Sequence, residues 1–204
     1  MYICENSNHA LLRGRVEAPP ALSHQTRQER FFRFPLRVRR LSGAEDVLNI
    51  LARERLIREL EPVPGMPLQA EGEIRTFNNK SGVGPKLVVS LFARSLSPSD
   101  VPEDENRVEL TGTLCKPTLL RETPLGRSVC DLMLAVNRSY GRSDYLPCIC
   151  WGSSAKEAAD WTVGTVVKLS GRFQSRDYRK LLPNGSSVQK TAYEISAMEV
   201  ERVE

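Results

Sequence analysis

From Arg107 to Leu114 polar and apolar side chains alternate: Val108, Leu110, Gly112 and Leu114 fall on one face, and Arg107, Glu109, Thr111 and Thr113 on the other. A period of two is that of a strand with one buried and one wet face. The same pattern predicts a second strand, with Cys130, Leu132, Leu134 and Val136 set against Asp131, Met133, Ala135 and Asn137. A third sets Leu146, Cys148 and Cys150 against Tyr145, Pro147, Ile149 and Trp151. Ser153 to Trp161 is rich in Ala, Lys and Glu with Ser at its start, which predicts a short helix. Val167, Leu169, Gly171 and Phe173 mark a fourth strand, and Ala192 to Val200 a fifth.

The chain repeats itself. A shift of 98 residues superposes Asn8 on Asn106, Gly14 on Gly112, Leu36 on Leu134, Val38 on Val136, Arg40 on Arg138 and Asp46 on Asp144. One further residue of slip aligns Gly65 with Gly164 and Gly72 with Gly171. Matches in one order across both halves indicate a duplicated domain of about a hundred residues. The first copy accordingly predicts strands over Ala10 to Val16, Phe32 to Arg40 and Val47 to Ala52, a helix over Arg53 to Glu61, then strands over Leu68 to Ile74 and Lys86 to Ala93. Leu56, Ile57 and Leu60 fall at helical spacing in that helix.

Three strands, a helix and two strands is the order of a five-stranded Greek-key barrel, the OB-fold, so the expected fold is mainly β with two tandem barrels. Gly112 and Gly171 interrupt strands where a small barrel must bend. Asn184-Gly185 predicts a turn in the long loop between the last two strands, and Asn78-Asn79-Lys80-Ser81-Gly82 occupies the matching loop of the first copy. The prolines, serines and acids of residues 97–105 predict a solvated linker, which places the first domain at 1–96 and the second at 106–204.

Charge adds a direction. Residues 1–98 hold 15 Lys+Arg against 10 Asp+Glu, and residues 106–204 hold 14 against 11, so both domains are mildly basic around an acidic linker. That balance fits either a solvated surface or a polyanionic partner. Five cysteines, no apolar run long enough to cross a membrane and no leader segment predict reduced thiols in a cytoplasm. Cys148 and Cys150 lack the spacing of a zinc site and are expected in the core. Asp46 and Asp144 repeat between the copies and are expected to be structural rather than metal-binding. His9 and His24 have no nucleophile nearby in sequence, Gly82-Val83-Gly84 does not precede a helix, and neither catalysis nor a cofactor or metal is expected.

The candidate chemistry is stacking. Tyr145 and Trp151 share the wet face of the third strand in the second copy. Tyr140 lies between Arg138 and Arg142, and Tyr178 between Arg176 and Arg179-Lys180, with Arg172 on the same strand. Rings interleaved with cations suit unpaired bases and phosphates; the alternative is that a neighbouring subunit or loop covers Tyr145 and Trp151. In the first copy Val47 and Arg53 stand at the positions of Tyr145 and Trp151, while Arg33, Arg37 and Arg39 point outward from the second strand. Phe77, between Arg75 and Lys80, is its best stacking candidate. An arginine row favours backbone contact, which is salt-sensitive. Subunit contact is the other role left open for this copy.

Asn106-Arg107-Val108-Glu109-Leu110-Thr111-Gly112, Leu134-Ala135-Val136-Asn137-Arg138, Asp144-Tyr145-Leu146-Pro147-Cys148-Ile149-Cys150-Trp151-Gly152 and Leu169-Ser170-Gly171-Arg172-Phe173-Gln174-Ser175-Arg176-Asp177-Tyr178 together resemble the bacterial single-stranded DNA-binding proteins. The resemblance implies that Tyr145, Trp151, Tyr178 and a ring near Tyr140 stack on bases while nearby Arg and Lys meet phosphates. It implies largely sequence-independent binding of single-stranded DNA, or RNA, in replication, recombination or repair, and a homodimer giving four barrels. The family usually ends in a glycine-rich tail with an acidic tip that recruits partners. Here the sequence closes on Glu199-Val200-Glu201-Arg202-Val203-Glu204, which leaves the recruiting role, and with it replication proteins as partners, open. The chain is also similar to primosomal replication proteins, which leaves open an interaction module that holds replication or mobile-element proteins and binds nucleic acid weakly.

Overall fold

The computed structural model of the chain describes residues 8–79, 85–138, 141–182 and 185–203. The first copy supplies β1 (Asn8–Val16), β2 (Ala21–Gln25), β3 (Arg30–Arg39), β4 (Glu45–Arg53), α1 (Glu54–Leu60), β5 (Pro67–Asn78) and β6 (Leu87–Pro98). The second supplies β7 (Glu105–Leu114), β8 (Leu119–Glu122), β9 (Ser128–Asn137), β10 (Ser143–Trp151), α2 (Gly152–Ala158), β11 (Val166–Leu181) and β12 (Ser187–Arg202). No helix among the described residues is long and apolar enough to cross a membrane.

Each copy closes on itself. β1 pairs with β5, β5 with β6, β6 in parallel with β4, β4 with β3, and β3 returns to β1. β7, β11, β12, β10 and β9 repeat that ring. These are the two OB-fold barrels that the element order predicts. Alternating residues fill them: Leu12, Phe34, Leu48, Ile50 and Ile74 are fully buried in barrel 1, and Leu110, Leu134, Leu146, Phe173 and Ile195 in barrel 2. Cys148 and Cys150 are in the second core, and burial pushes the Cys150 thiol up to about 12, so neither behaves as a reactive thiol.

Glycine makes the closure possible. A Cβ at Gly72 would lie 2.0 Å from the Phe92 carbonyl oxygen, and one at Gly171 would lie 2.2 Å from that of Ser196. Both glycines sit where the register slips against the partner strand, the bulges that turn β5 and β11 around the barrel corner. Gly171 therefore bends its strand as expected, while Gly112 is crowded by Val136 and Ala135 of β9.

The structure departs from the sequence pattern in its extras. β2 and β8, short strands hydrogen-bonded to β3 and β9, were not signalled, because every residue in them is exposed. The helices are shorter than the patterns suggest, α1 stopping at Leu60 and α2 at Ala158, while β11 and β12 run much further into their hairpin. Phe32, which the alternation of its strand would turn inward with Phe34, Leu36 and Val38, is only half-buried and stands outside the core. β6 extends to Pro98 and β7 begins at Glu105, leaving residues 99–104 between them.

The barrels are joined edge to edge: β1 lies antiparallel to β7, with Asn8 opposite Leu110 and Arg13 opposite Glu105. The contact is nearly two-fold symmetric. Asn8 exchanges side-chain bonds with the Ile74 backbone, and Asn106 does the same with Phe173.

Candidate nucleic-acid interface

The wet face of barrel 2 carries the expected rings. With Cys148 and Cys150 inside, the strand period turns Tyr145 and Trp151 out, 51% and 40% exposed. Six residues of strand separate them by about 20 Å. Between them Pro147 and Ile149, with Met133 of β9, line an open groove of about 420 Å³ that is edged by Leu119, Arg121 and Arg176. Lys116, Asp131 and Glu194 also line it, so apolar and charged groups alternate between the two exposed rings. The Trp151 indole N–H donates to Ser196 Oγ at 3.1 Å, which fixes the ring on β12 with its polar atom satisfied.

The cations are less free than the sequence implied. Arg176 borders the groove, but it is paired with the buried Glu194 at 3.3 Å and lies 5.8 Å from the Tyr178 ring. Gln174 donates to the same carboxylate at 2.9 Å. Tyr178, Arg179 and Lys180 stand exposed along the β11 arm of the hairpin, and Arg142 is exposed before β10. Arg172 is half-buried against Gln174; burial, with Arg40 nearby, lowers its pKa. Arg138 is tied to Asp144 and to the Thr76 carbonyl across the barrel boundary. Tyr140 and Lys80 lie outside the described residues.

Barrel 1 is built differently on the same frame. At the position of Trp151 it has Arg53, and at the position of Ser196, on the neighbouring strand, it has Phe92. The ring has moved one strand across, and a guanidinium now covers it at 5.2 Å. Arg75 and Arg94 join at 4.1 and 5.2 Å, so three guanidinium groups roof one ring that is 3% exposed. Glu73 pairs with Arg75 and Arg94, and Glu29 with Arg53. Burial, together with the like charges of Arg138 and Arg94, holds Arg75 below the usual arginine value despite Glu73. This cluster went unseen in the sequence, where Phe92 carries no period that would turn it outward.

The remaining candidates of barrel 1 scatter. Arg33 is exposed on β3. Arg37 is held by Glu17 at 2.5 Å and Glu45 at 2.8 Å. The Arg39 backbone N–H donates to Asp104 at 2.6 Å, which pins the acidic segment against β3. Phe77 is 49% exposed at the end of β5.

Asp46 and Asp144 hold the barrels together. Each is fully buried, each is paired with the arginine six residues before it, and each reaches across to the other barrel. Asp144 accepts from the Thr76 amide at 2.6 Å, and Asp46 from the Ser175 amide at 2.8 Å. Their repetition therefore has a structural cause.

Comparison with known proteins gives this geometry a context. Residues 105–203 match the single-strand binding protein family. Within the chain, 80 residues are 38% identical to single-stranded DNA-binding protein 2 of Listeria innocua and 36% to single-stranded DNA-binding protein A of Bacillus subtilis, covering 36% of this chain and 50% and 46% of theirs. The chain thus spans about half the length of the curated relatives it matches. The wild-type single-stranded DNA binding protein of Thermus aquaticus superposes over 98% of this chain and 94% of its own, with a TM-score of 0.78 at 21% identity, a likeness of fold. The chain is a tandem OB-fold protein whose second barrel matches the single-strand binding protein family.

Proposed function

We propose that this protein binds single-stranded DNA with little sequence preference, protecting it during replication, recombination or repair, and that it acts by binding rather than catalysis. The observation that carries this reading is the pair of exposed rings, Tyr145 and Trp151, at the two ends of the strand stretch that lines an open groove on the barrel that matches the family. Stacking accepts any base, so the site discriminates paired from unpaired strands rather than one sequence from another. Tyr178, Arg179 and Lys180 extend the same surface along the hairpin, while Arg121 and Arg176 at the groove's edge are paired with Asp131 and Glu194. Barrel 1 contributes guanidinium groups, several of them already ion-paired, and so acts as the weaker, more salt-dependent half. The functional division into two domains at the acidic segment, a bacterial cytoplasmic location and a homodimer presenting four barrels complete the reading. Its support is the duplicated fold and the DNA binding for which the relatives are named.

Tryptophan emission tests it directly. Trp151 is exposed while Trp161 is 8% exposed, so bound oligo-dT should quench the first and leave the second as a constant background. Trp151→Ala should abolish the quench and weaken binding about tenfold, the scale of one lost stacking platform. Unquenched emission together with unchanged affinity in Trp151→Ala would rule the stacking role out. Competition with oligo-U separates DNA from RNA preference.

A further inference from the structure

The two contacts that lock the barrels together are equivalent in backbone and unlike in what they present. At the first, Asp144 of β10 accepts from the Thr76 amide of β5, and the Tyr145 amide donates to Thr76 Oγ1 at 3.0 Å. Arg138 donates across the same boundary to the Thr76 carbonyl at 3.0 Å. At the second, Asp46 of β4 accepts from the Ser175 amide and hydroxyl of β11, and Arg40 donates to the Ser175 carbonyl at 3.3 Å. The residues that follow differ. Thr76 is followed by Phe77 and Asp144 by Tyr145, both about half exposed. Ser175 is followed by Arg176, already paired with Glu194, and Asp46 by the aliphatic Val47.

One seam thus shows two exposed rings, one from each barrel, on strands tied directly to each other. At the other, neither residue that follows the tie is aromatic: Tyr193, opposite Ser175 on β12, is half-buried against Phe173, and Tyr178 stands three residues further along β11 against Arg176. Among the described residues neither Phe77 nor Tyr145 stacks on another ring or cation, so their faces are available. Among the described residues no packing role accounts for this exposed aromatic surface. Arg75 shares the outward face of β5 with Phe77, two residues away, and Arg138 lies close enough to Arg75 to lower its pKa. Two guanidinium groups thus lie beside the ring pair, each held in place by a carboxylate, Arg75 by Glu73 and Arg138 by Asp144.

We infer that a single strand bound on barrel 2 crosses to barrel 1 at the Asp144–Thr76 seam, where one base stacks against both Phe77 and Tyr145, and that the Asp46–Ser175 seam carries no such crossing. This rests on the single-strand reading of the barrel 2 face. It makes the two-barrel chain a directional track: the strand leaves the groove past Tyr145 and enters the arginine-roofed surface around Phe92. A symmetric pair of identical barrels would offer two equal crossings, whereas this duplicated chain offers one.

A double-mutant cycle on the full chain tests this, reading affinity for oligo-dT of roughly 30 nucleotides, long enough for two barrels at about 4 to 16 nucleotides each. Phe77→Ala and Tyr145→Ala should each weaken binding about tenfold, and the double variant scarcely more than either, because both rings serve one base. Phe77→Tyr keeps a ring and should bind as the wild type. Phe77→Ala combined with Trp151→Ala should show the product of the two losses. Wild-type affinity in Phe77→Ala, with Tyr145→Ala and Trp151→Ala both weakened, overturns the crossing and leaves the stacking reading standing. Independent losses at Phe77 and Tyr145 overturn the shared base. Wild-type affinity in all three single variants overturns the single-strand reading as well.

Discussion

At the scale of single residues, the two barrels show how one frame yields two surfaces by exchanging a ring and a small or charged partner. Barrel 2 places Trp151 over Ser196, and barrel 1 places Arg53 over Phe92. The first leaves a ring for bases; the second hides the ring beneath three cations. Phe92 should therefore matter to stability more than to binding. Phe92→Ala removes a buried ring and its cation contacts and should destabilise barrel 1 by about 3 kcal/mol, read by urea unfolding. Arg94→Ala, which loses one exposed partner among three, should cost no more than about 1 kcal/mol. This difference was illegible in the sequence. Leu87, Val88, Val89, Leu91 and Phe92 are apolar with only Ser90 between them, so no alternation says which of them face out. Tyr145 and Trp151 were legible for the opposite reason, since Leu146, Cys148 and Cys150 fix the inward set and leave the rings outside. The groove floor was half legible: Pro147 and Ile149 share the wet face in the pattern, but Met133 and Arg176 join them only through pairing of distant strands.

At the scale of elements, the barrel order followed from alternation and spacing, and the misses share one physical cause. β2 and β8 are exposed along their length and held by backbone bonds to β3 and β9, so no hydrophobic period records them. The outer arms of β11 and β12, exposed from Arg176 to Thr191 wherever they are described, escape notice in the same way. Where an element must turn sharply, glycine is legible and its reason testable. Gly171→Ala would drive a methyl group to within 2.2 Å of the Ser196 carbonyl oxygen, in a bulge with no room to yield. It should cost at least about 2 kcal/mol and lower the unfolding temperature of barrel 2. Gly185 has φ +80° but open space around it, and Gly185→Ala should cost only about 1 kcal/mol through its backbone conformation. Thermal unfolding of the two variants side by side separates crowding from conformational preference.

At the scale of the whole molecule, the buried acids at the two seams make the pair of barrels one body. The repetition of Asp46 and Asp144 was visible in the sequence, but their partners lie 129 and 68 residues away, and nothing local marks Ser175 or Thr76 as the acceptor's mate. Burial by itself would raise the Asp46 pKa, yet the Arg40 guanidinium and the Ser175 amide and hydroxyl together hold it below the usual carboxylate value. The unfolded chain returns that group to about 3.9. A carboxyl whose folded pKa is the lower one stabilises the folded state above the unfolded value, and loses that contribution as the pH falls through the folded value. The seam should therefore weaken on acidification below about pH 4. Asp46→Asn should unfold at lower temperature than the wild type near neutrality, because Arg40 keeps its position beside a neutral side chain. As the pH is lowered its unfolding temperature should fall less steeply than that of the wild type, so the two curves converge at the acid end. Other carboxylates lowered by exposed arginines, among them Glu17 and Glu54, titrate alike in both proteins, and the difference between the curves isolates the seam. Parallel curves across the acid range would show that Asp46 is not held low by its partners across the boundary. Calorimetry of Asp46→Asn at neutral pH adds a second readout: a barrel 1 transition that separates from that of barrel 2 shows that this carboxylate couples them.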